Sequence, residues 1–199
     1  MGNVQRIFYF HVPSAILGDV ALFLGGFAAV AYLKRRDPKL DALSVSCTEA
    51  GLIFELVNIV MGSMWAKPVW GIWWTWDARL TFQALLILIY VGYLLVRRSI
   101  EEPTQRAVLC AVLSIFGMAD MPIVYMANRL FRTQHPAPVI FGGKDSGLDP
   151  KMLFVLLFSM VAFALLLTCL VRLRARLEEL RVFAHGLHMR SLELEQSRT

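Results

Sequence analysis

The sequence predicts an all-α integral membrane protein, on three observations. Of 199 residues, 57% are hydrophobic and only 18% charged, against about 45–50% and about 25% in a typical soluble domain. The apolar excess is gathered into five blocks of roughly 20 residues, each long enough to cross a ~30 Å hydrocarbon layer as a helix. Short charged segments separate the blocks, without the apolar/polar alternation that builds an outer-membrane barrel. A soluble enzyme and a disordered protein are excluded on the same grounds, with mean hydropathy at +0.58. The net charge of +5 is therefore a topology signal and not the mark of a nucleic-acid binder.

The first span, about 14–33, ends at Lys34-Arg35-Arg36-Asp37-Pro38-Lys39. The second, about 49–66, runs into the tryptophan-rich loop around 67–79. The third, about 80–96, stops at Arg97 and Arg98; Glu101, Glu102, Pro103 and Arg106 lead to the fourth, about 107–127. The loop 128–151 precedes the fifth, about 152–171. These spans define a transmembrane bundle over 1–171, followed by a tail, 172–199, that mixes Leu with Arg and Glu and predicts a short cytoplasmic helix. Its Leu173, Leu177 and Leu180 either face a partner helix or lie in solvent and headgroups.

Charge assigns the sides. The segments after the first, third and fifth spans hold Lys34, Arg35, Arg36, Lys39, Arg97, Arg98 and Arg106, then Arg172, Arg174, Arg176, Arg181, Arg190 and Arg198. The other side holds only Arg6, Lys67, Arg79, Arg129, Arg132, Lys144 and Lys151. The richer set belongs in the cytoplasm, which puts the N-terminus outside and the C-terminus inside. Residues 1–13 carry no cleavable signal, so the chain starts either as a short outer tail or downstream of a helix it does not include. Cys47, Cys110 and Cys169 fall near cytoplasmic ends of spans, and no structural disulfide is expected. There is no C-x-x-C-H run and no phosphate-binding glycine loop.

All five tryptophans lie in one fifteen-residue stretch, Trp65-Ala-Lys-Pro-Val-Trp70-Gly-Ile-Trp73-Trp74-Thr-Trp76-Asp77-Ala-Arg79, on the outer side. An aromatic belt would distribute tryptophans over both faces. Gathered in one short loop, stiffened by Pro68 and turned at Gly71, they instead predict a platform of π-surface for a planar apolar ligand. Trp70, Trp73 and Trp74, spaced i, i+3 and i+4, would share one face of a surface helix. Lys67 and Arg79 flank the platform, and a guanidinium holds carboxylates in a bidentate grip. A planar ring bearing carboxylates describes haem, whose iron takes axial histidines. Of four histidines, His185 and His188 lie in the tail, whereas His11 and His135 share the outer side with the tryptophans. Each of these two has a proline within two residues, which stiffens the chain beside the imidazole.

The run Trp70-Gly-Ile-Trp73-Trp74-Thr-Trp76-Asp77 resembles the WWD signature of haem-handling membrane proteins in cytochrome c maturation, and Asp77-Ala-Arg79-Leu-Thr81 is similar to the CcmC branch. His11 in His-Val-Pro and His135 before the Pro/Ala run occupy the places of that family's two outer-face histidines. The resemblance covers almost the whole chain. It implies a haem exporter subunit of the bacterial inner membrane that presents haem at the periplasmic face. The haem then passes to a CcmE-like chaperone, together with CcmA-, CcmB- and CcmD-like subunits of an ABC transporter complex. Carried over, His11 and His135 ligate iron, and Trp70, Trp73, Trp74, Trp76 and Asp77, with Arg79, form the ring site. Haem is then a transient cargo, and the role is holding and transfer rather than catalysis. Two features depart from the family: five spans where it usually has six, and no tryptophan in Asn128-Arg-Leu-Phe-Arg132 before the second histidine.

Charge inside a bilayer costs about 2.5–3.5 kcal/mol per residue on insertion scales, so Asp19, Glu55 and Asp120 ask for a reason. Glu49 is near enough to the cytoplasmic end to reach headgroups. Glu55, Asn58, Gly62 and Trp65 share a helical face running toward the platform; Glu55 either pairs with Arg79 or a partner, or is a hydrogen-bonded packing residue. Two other function classes compete. A cytochrome b-like electron carrier would hold histidines within its helices, and none lies mid-span here. A scaffold or permease subunit would use its tryptophans only as anchors.

Overall fold

The computed structural model describes residues 2–131, 133–135 and 147–196. Arg132, Lys144, Arg198, the Pro136-Ala137-Pro138 run and the side chain of His185 lie outside the described residues. Every element among the described residues is helical. A 3-10 segment, Gly2–Ile7, leads into α1 (Phe8–Arg35), followed by α2 (Pro38–Trp70), α3 (Ala78–Ser99), α4 (Pro103–Leu130) and α5 (Pro150–Gln196). All five helices are long and apolar enough to cross a membrane, and each contains one of the five expected spans. The chain is a multi-pass membrane protein.

Local chemistry sets the breaks. Arg36 adopts a left-handed conformation (φ 56°) and its N–H closes on the Tyr32 carbonyl at 2.7 Å, ending α1. Asp37 caps α2, accepting from the Lys39 N–H at 2.9 Å, with Pro38 in the first turn, where a missing N–H costs nothing. Asp77 caps α3, Glu102 caps α4, and Asp149 accepts from the Lys151 N–H at the head of α5. Short polar side chains at these points satisfy helix N–H groups that would otherwise be orphaned.

Helices α1 and α2 form the closest antiparallel pair, and small residues permit it, as is common where helices pack in lipid. The Ser44 hydroxyl donates to the Gly25 carbonyl at 2.9 Å, and Leu22 presses on Gly51. Helix α4 packs on α1 and α3, with Tyr90 of α3 seated against Gly117. Leu22, Val45, Leu86, Tyr90, Tyr93 and Cys110 make the central core. Helix α5 lies on α1 and α2, with Phe163 meeting Phe10 and Phe54 edge-to-face. All three cysteines are free.

Two expectations are corrected. The tail is not a separate short helix: α5 runs unbroken over 47 residues, because no Pro or capping turn interrupts it after Val171. Trp70, Trp73 and Trp74 do not share a helical face. Helix α2 continues through Pro68 to Trp70, where Gly71 (φ 79°) turns the chain out of the helix and its N–H closes on the Lys67 carbonyl at 3.0 Å. Residues 72–77 are irregular. A left-handed glycine after the last turn is a standard helix stop, and it outweighs the i, i+3, i+4 spacing.

Candidate functional site

One end of the bundle holds the starts of α1, α3 and α5 and the ends of α2 and α4, and here a cavity of about 590 Å³ opens. That volume falls in the range of about 300–1,000 Å³ typical of small-molecule sites. Its wall includes His11, His135, Trp65, Trp70, Trp73, Trp74 and Arg79. Asp19, Asn58, Gly62, Gln83 and Tyr125 also line it.

The two histidines face each other with ring centroids 6.4 Å apart and planes inclined by 36°. Two imidazoles bound on opposite sides of one metal, with metal–nitrogen bonds of about 2 Å, place their centroids roughly 6 Å apart. His11 is oriented from behind. Its Nδ1 lies 3.0 Å from the Asn58 carbonyl oxygen, which only a protonated nitrogen can serve, so the Nε2 lone pair is left for a metal. The ring reaches that carbonyl because residue 62 has no side chain: a Cβ there would sit 3.0 Å from His11 Cε1.

The tryptophans form two edge-to-face pairs, Trp65 with Trp70 at 5.2 Å and Trp74 with Trp76 at 5.6 Å. Trp73 is 58% exposed and Trp76 77% exposed, so the platform stands at the rim. Trp76 does not line the cavity and instead braces Trp74. Asp77 does not line it either; its carboxylate accepts the Leu80 N–H at 3.0 Å, the Thr75 hydroxyl at 3.3 Å and the Gln134 N–H at 3.2 Å. Lys67 is turned away, its ammonium donating to the Gly71 carbonyl at 2.9 Å.

Two buried donors on the wall, Arg79 Nη1 and Trp74 Nε1, have no protein acceptor among the described residues. Unpaired buried N–H groups are costly, and both would be satisfied by the carboxylates of a ligand. Below them, Glu55 is buried (1% exposed) and takes hydrogen bonds from Asn58 at 3.0 Å and Gln83 at 2.9 Å rather than from Arg79. It thereby steadies Asn58, whose carbonyl holds His11. Asp120 is buried outside the cavity. Glu49, expected at headgroups, pairs with Arg174 at 2.6 Å.

Sequence reading did not single out Trp65 as a ring-site residue, nor Asn58, Gln83 and Tyr125 as cavity residues. For Asn58 and Trp65 a signal existed in the polar stripe through Glu55 and Gly62. Gln83 and Tyr125 face the cavity only through the packing of α3 and α4.

Fold and site together define a multi-pass membrane protein with a two-histidine, tryptophan-walled cavity at one end of a bundle that has five long helices among the described residues. Residues 1–189 match the family model of heme exporter protein C, CcmC. Relatives named heme exporter protein C include those of Bradyrhizobium diazoefficiens, 33% identical over 94% of this chain and 72% of its own length. That of Escherichia coli strain K12 is 31% identical over 88% and 70%, and that of Haemophilus influenzae 29% over 90% and 73%. The chain belongs to the CcmC family.

Proposed function

We propose that this chain binds haem at the periplasmic face of the bacterial inner membrane and passes it on during cytochrome c maturation. The observation that carries this reading is the pair of imidazoles 6.4 Å apart in a cavity walled by indoles. His11 and His135 serve as axial ligands, with His11 held in the correct tautomer by the Asn58 carbonyl. Trp70, Trp73 and Trp74 cover the ring, Trp76 supports them from outside, and Arg79 with Trp74 Nε1 meets the carboxylates. Bound haem supplies an iron that two nitrogen donors can share. The protein's own part is to bind, orient and release.

The rim position of the exposed tryptophans suits exchange: a loop-built site at a surface can open to a partner more readily than a buried one. The receiver is a CcmE-like haem chaperone, and CcmA-, CcmB- and CcmD-like subunits complete the assembly. The C-terminal part of α5, with Arg172, Arg174, Arg176 and Arg181, lies in the cytoplasm by the positive-inside rule, which puts the cavity on the periplasmic side. The unit that handles haem is the bundle over 1–171, and residues 172–199 are the tail that carries α5 beyond it.

Purified in detergent, the protein should show a Soret band, and His11→Ala combined with His135→Ala should abolish it. An unchanged band in the double variant refutes the ligand assignment. A retained band with lost delivery to the chaperone in Trp73→Ala assigns the platform to transfer.

A further inference from the structure

We propose that the Asp77 carboxylate is the clasp that sets His135 opposite His11, acting as a positioning residue for the iron site and not as a contact to the ring. The inference rests on the haem reading above. Asp77 lies outside the cavity wall, yet its two oxygens join two separate parts of the site. Oδ1 accepts the Leu80 N–H, which pins Asp77 to the first turn of α3. Oδ2 accepts the backbone N–H of Gln134, the residue immediately before His135 and 57 positions away in sequence.

Helix α4 ends at Leu130, so the chain that carries His135 has left its helical ladder four residues earlier. Thr133 anchors within the same stretch, to Asn128 Oδ1 at 3.2 Å and to the His135 carbonyl at 3.3 Å. Those bonds shape the segment; the bond to Asp77 fixes it against α3 and the tryptophan loop. Thr75 donates to the same Oδ2 at 3.3 Å, so the loop and the histidine segment share one acceptor. A carboxylate offers acceptors on both oxygens. An amide offers one and a serine hydroxyl one, and either still caps a helix.

The test uses the full chain in detergent, titrated with hemin, and compares the parent with Asp77→Ser, a good cap without the second acceptor. The parent should give a low-spin, six-coordinate spectrum. Asp77→Ser should still take up hemin but shift toward the high-spin, five-coordinate form shown by His135→Ala, and added imidazole should restore the low-spin spectrum in both. In the hemin-free protein, the Gln134 amide should exchange with solvent at least tenfold faster in Asp77→Ser than in the parent. A low-spin Asp77→Ser protein with unchanged Gln134 exchange overturns the clasp while leaving the histidine assignment intact. A parent spectrum indifferent to His135→Ala overturns that assignment and the clasp with it. Should Asp77→Ser fail to accumulate, Asp77→Asn is read by the same two measurements, with the same outcomes deciding.

Discussion

His11 occupies its place because a glycine one helix away yields the room. A methyl at residue 62 would come within 3.0 Å of His11 Cε1, tighter than ordinary van der Waals contact, and the ring would have to retreat from the Asn58 carbonyl. Gly62→Ala should therefore weaken hemin binding roughly tenfold, about 1.4 kcal/mol. The same change should raise thermal stability slightly, since alanine favours a helix interior over glycine by about 0.5–1 kcal/mol. Affinity and melting temperature moving in opposite directions, measured on one preparation, is the expected outcome; a parallel fall in both would refute the packing argument. At this scale the sequence was partly legible. His11 and His135 stand out by side, by neighbouring prolines and by company with the tryptophans. Asn58 does not, because what it contributes is a backbone carbonyl, which every residue has. Asp77 is visible in the sequence, but its role depends on a contact 57 residues distant.

Among elements, the helix boundaries follow from caps that can be read directly, and their strength is testable. Glu102 accepts the backbone N–H groups of Thr104 and Gln105 at the head of α4. These two bonds to the ionised form hold its carboxyl below the usual carboxylate range. A carboxyl with a depressed folded-state value stabilises the cap fully above its unfolded value of about 4.3. That contribution fades as pH falls through the lower folded value. The Thr104 and Gln105 amides should then exchange faster as pH drops below about 4, after correction for intrinsic rates, and Glu102→Gln should abolish that pH dependence. The five spans were legible because hydropathy measures what a bilayer selects. In the tryptophan segment two signals conflict: helical spacing in the indoles and a left-handed stop at Gly71. The stop prevails, and the indoles pair edge-to-face instead of lining up along one face. The length of α5 was missed for the opposite reason, since polarity changes after Val171 while helix propensity does not.

Across the whole molecule, the end opposite the cavity is fastened by charge. Arg97 of α3 donates to both carboxylate oxygens of Asp41 in α2, at 3.0 and 2.8 Å, and to Glu178 of α5 at 2.9 Å. Arg174 joins Glu178 to Glu49 of α2. With the Arg97 side chain only 8% exposed, removing it leaves Asp41 without its partner and Glu178 with its Arg174 contact, and breaking such a pair is worth about 3–5 kcal/mol where it is buried. Arg97→Met should release the C-terminal part of α5 to limited proteolysis while leaving hemin uptake at the far end unchanged; unaltered cleavage would refute the fastening. None of this network was legible from the chain. Arg97, Arg174 and Glu49 each read as topology or headgroup residues, because the register that brings three helices together is set by packing.

The single rod of α5 has a geometric consequence. At about 1.5 Å per residue, 47 residues extend about 70 Å, more than twice the thickness of the oily layer. The protein thus carries its own measuring stick. Whatever grips the last turns, at the end away from the cavity, is held at a stand-off from the lipid, on the same helix whose Phe163 meets Phe10 of the helix that bears His11.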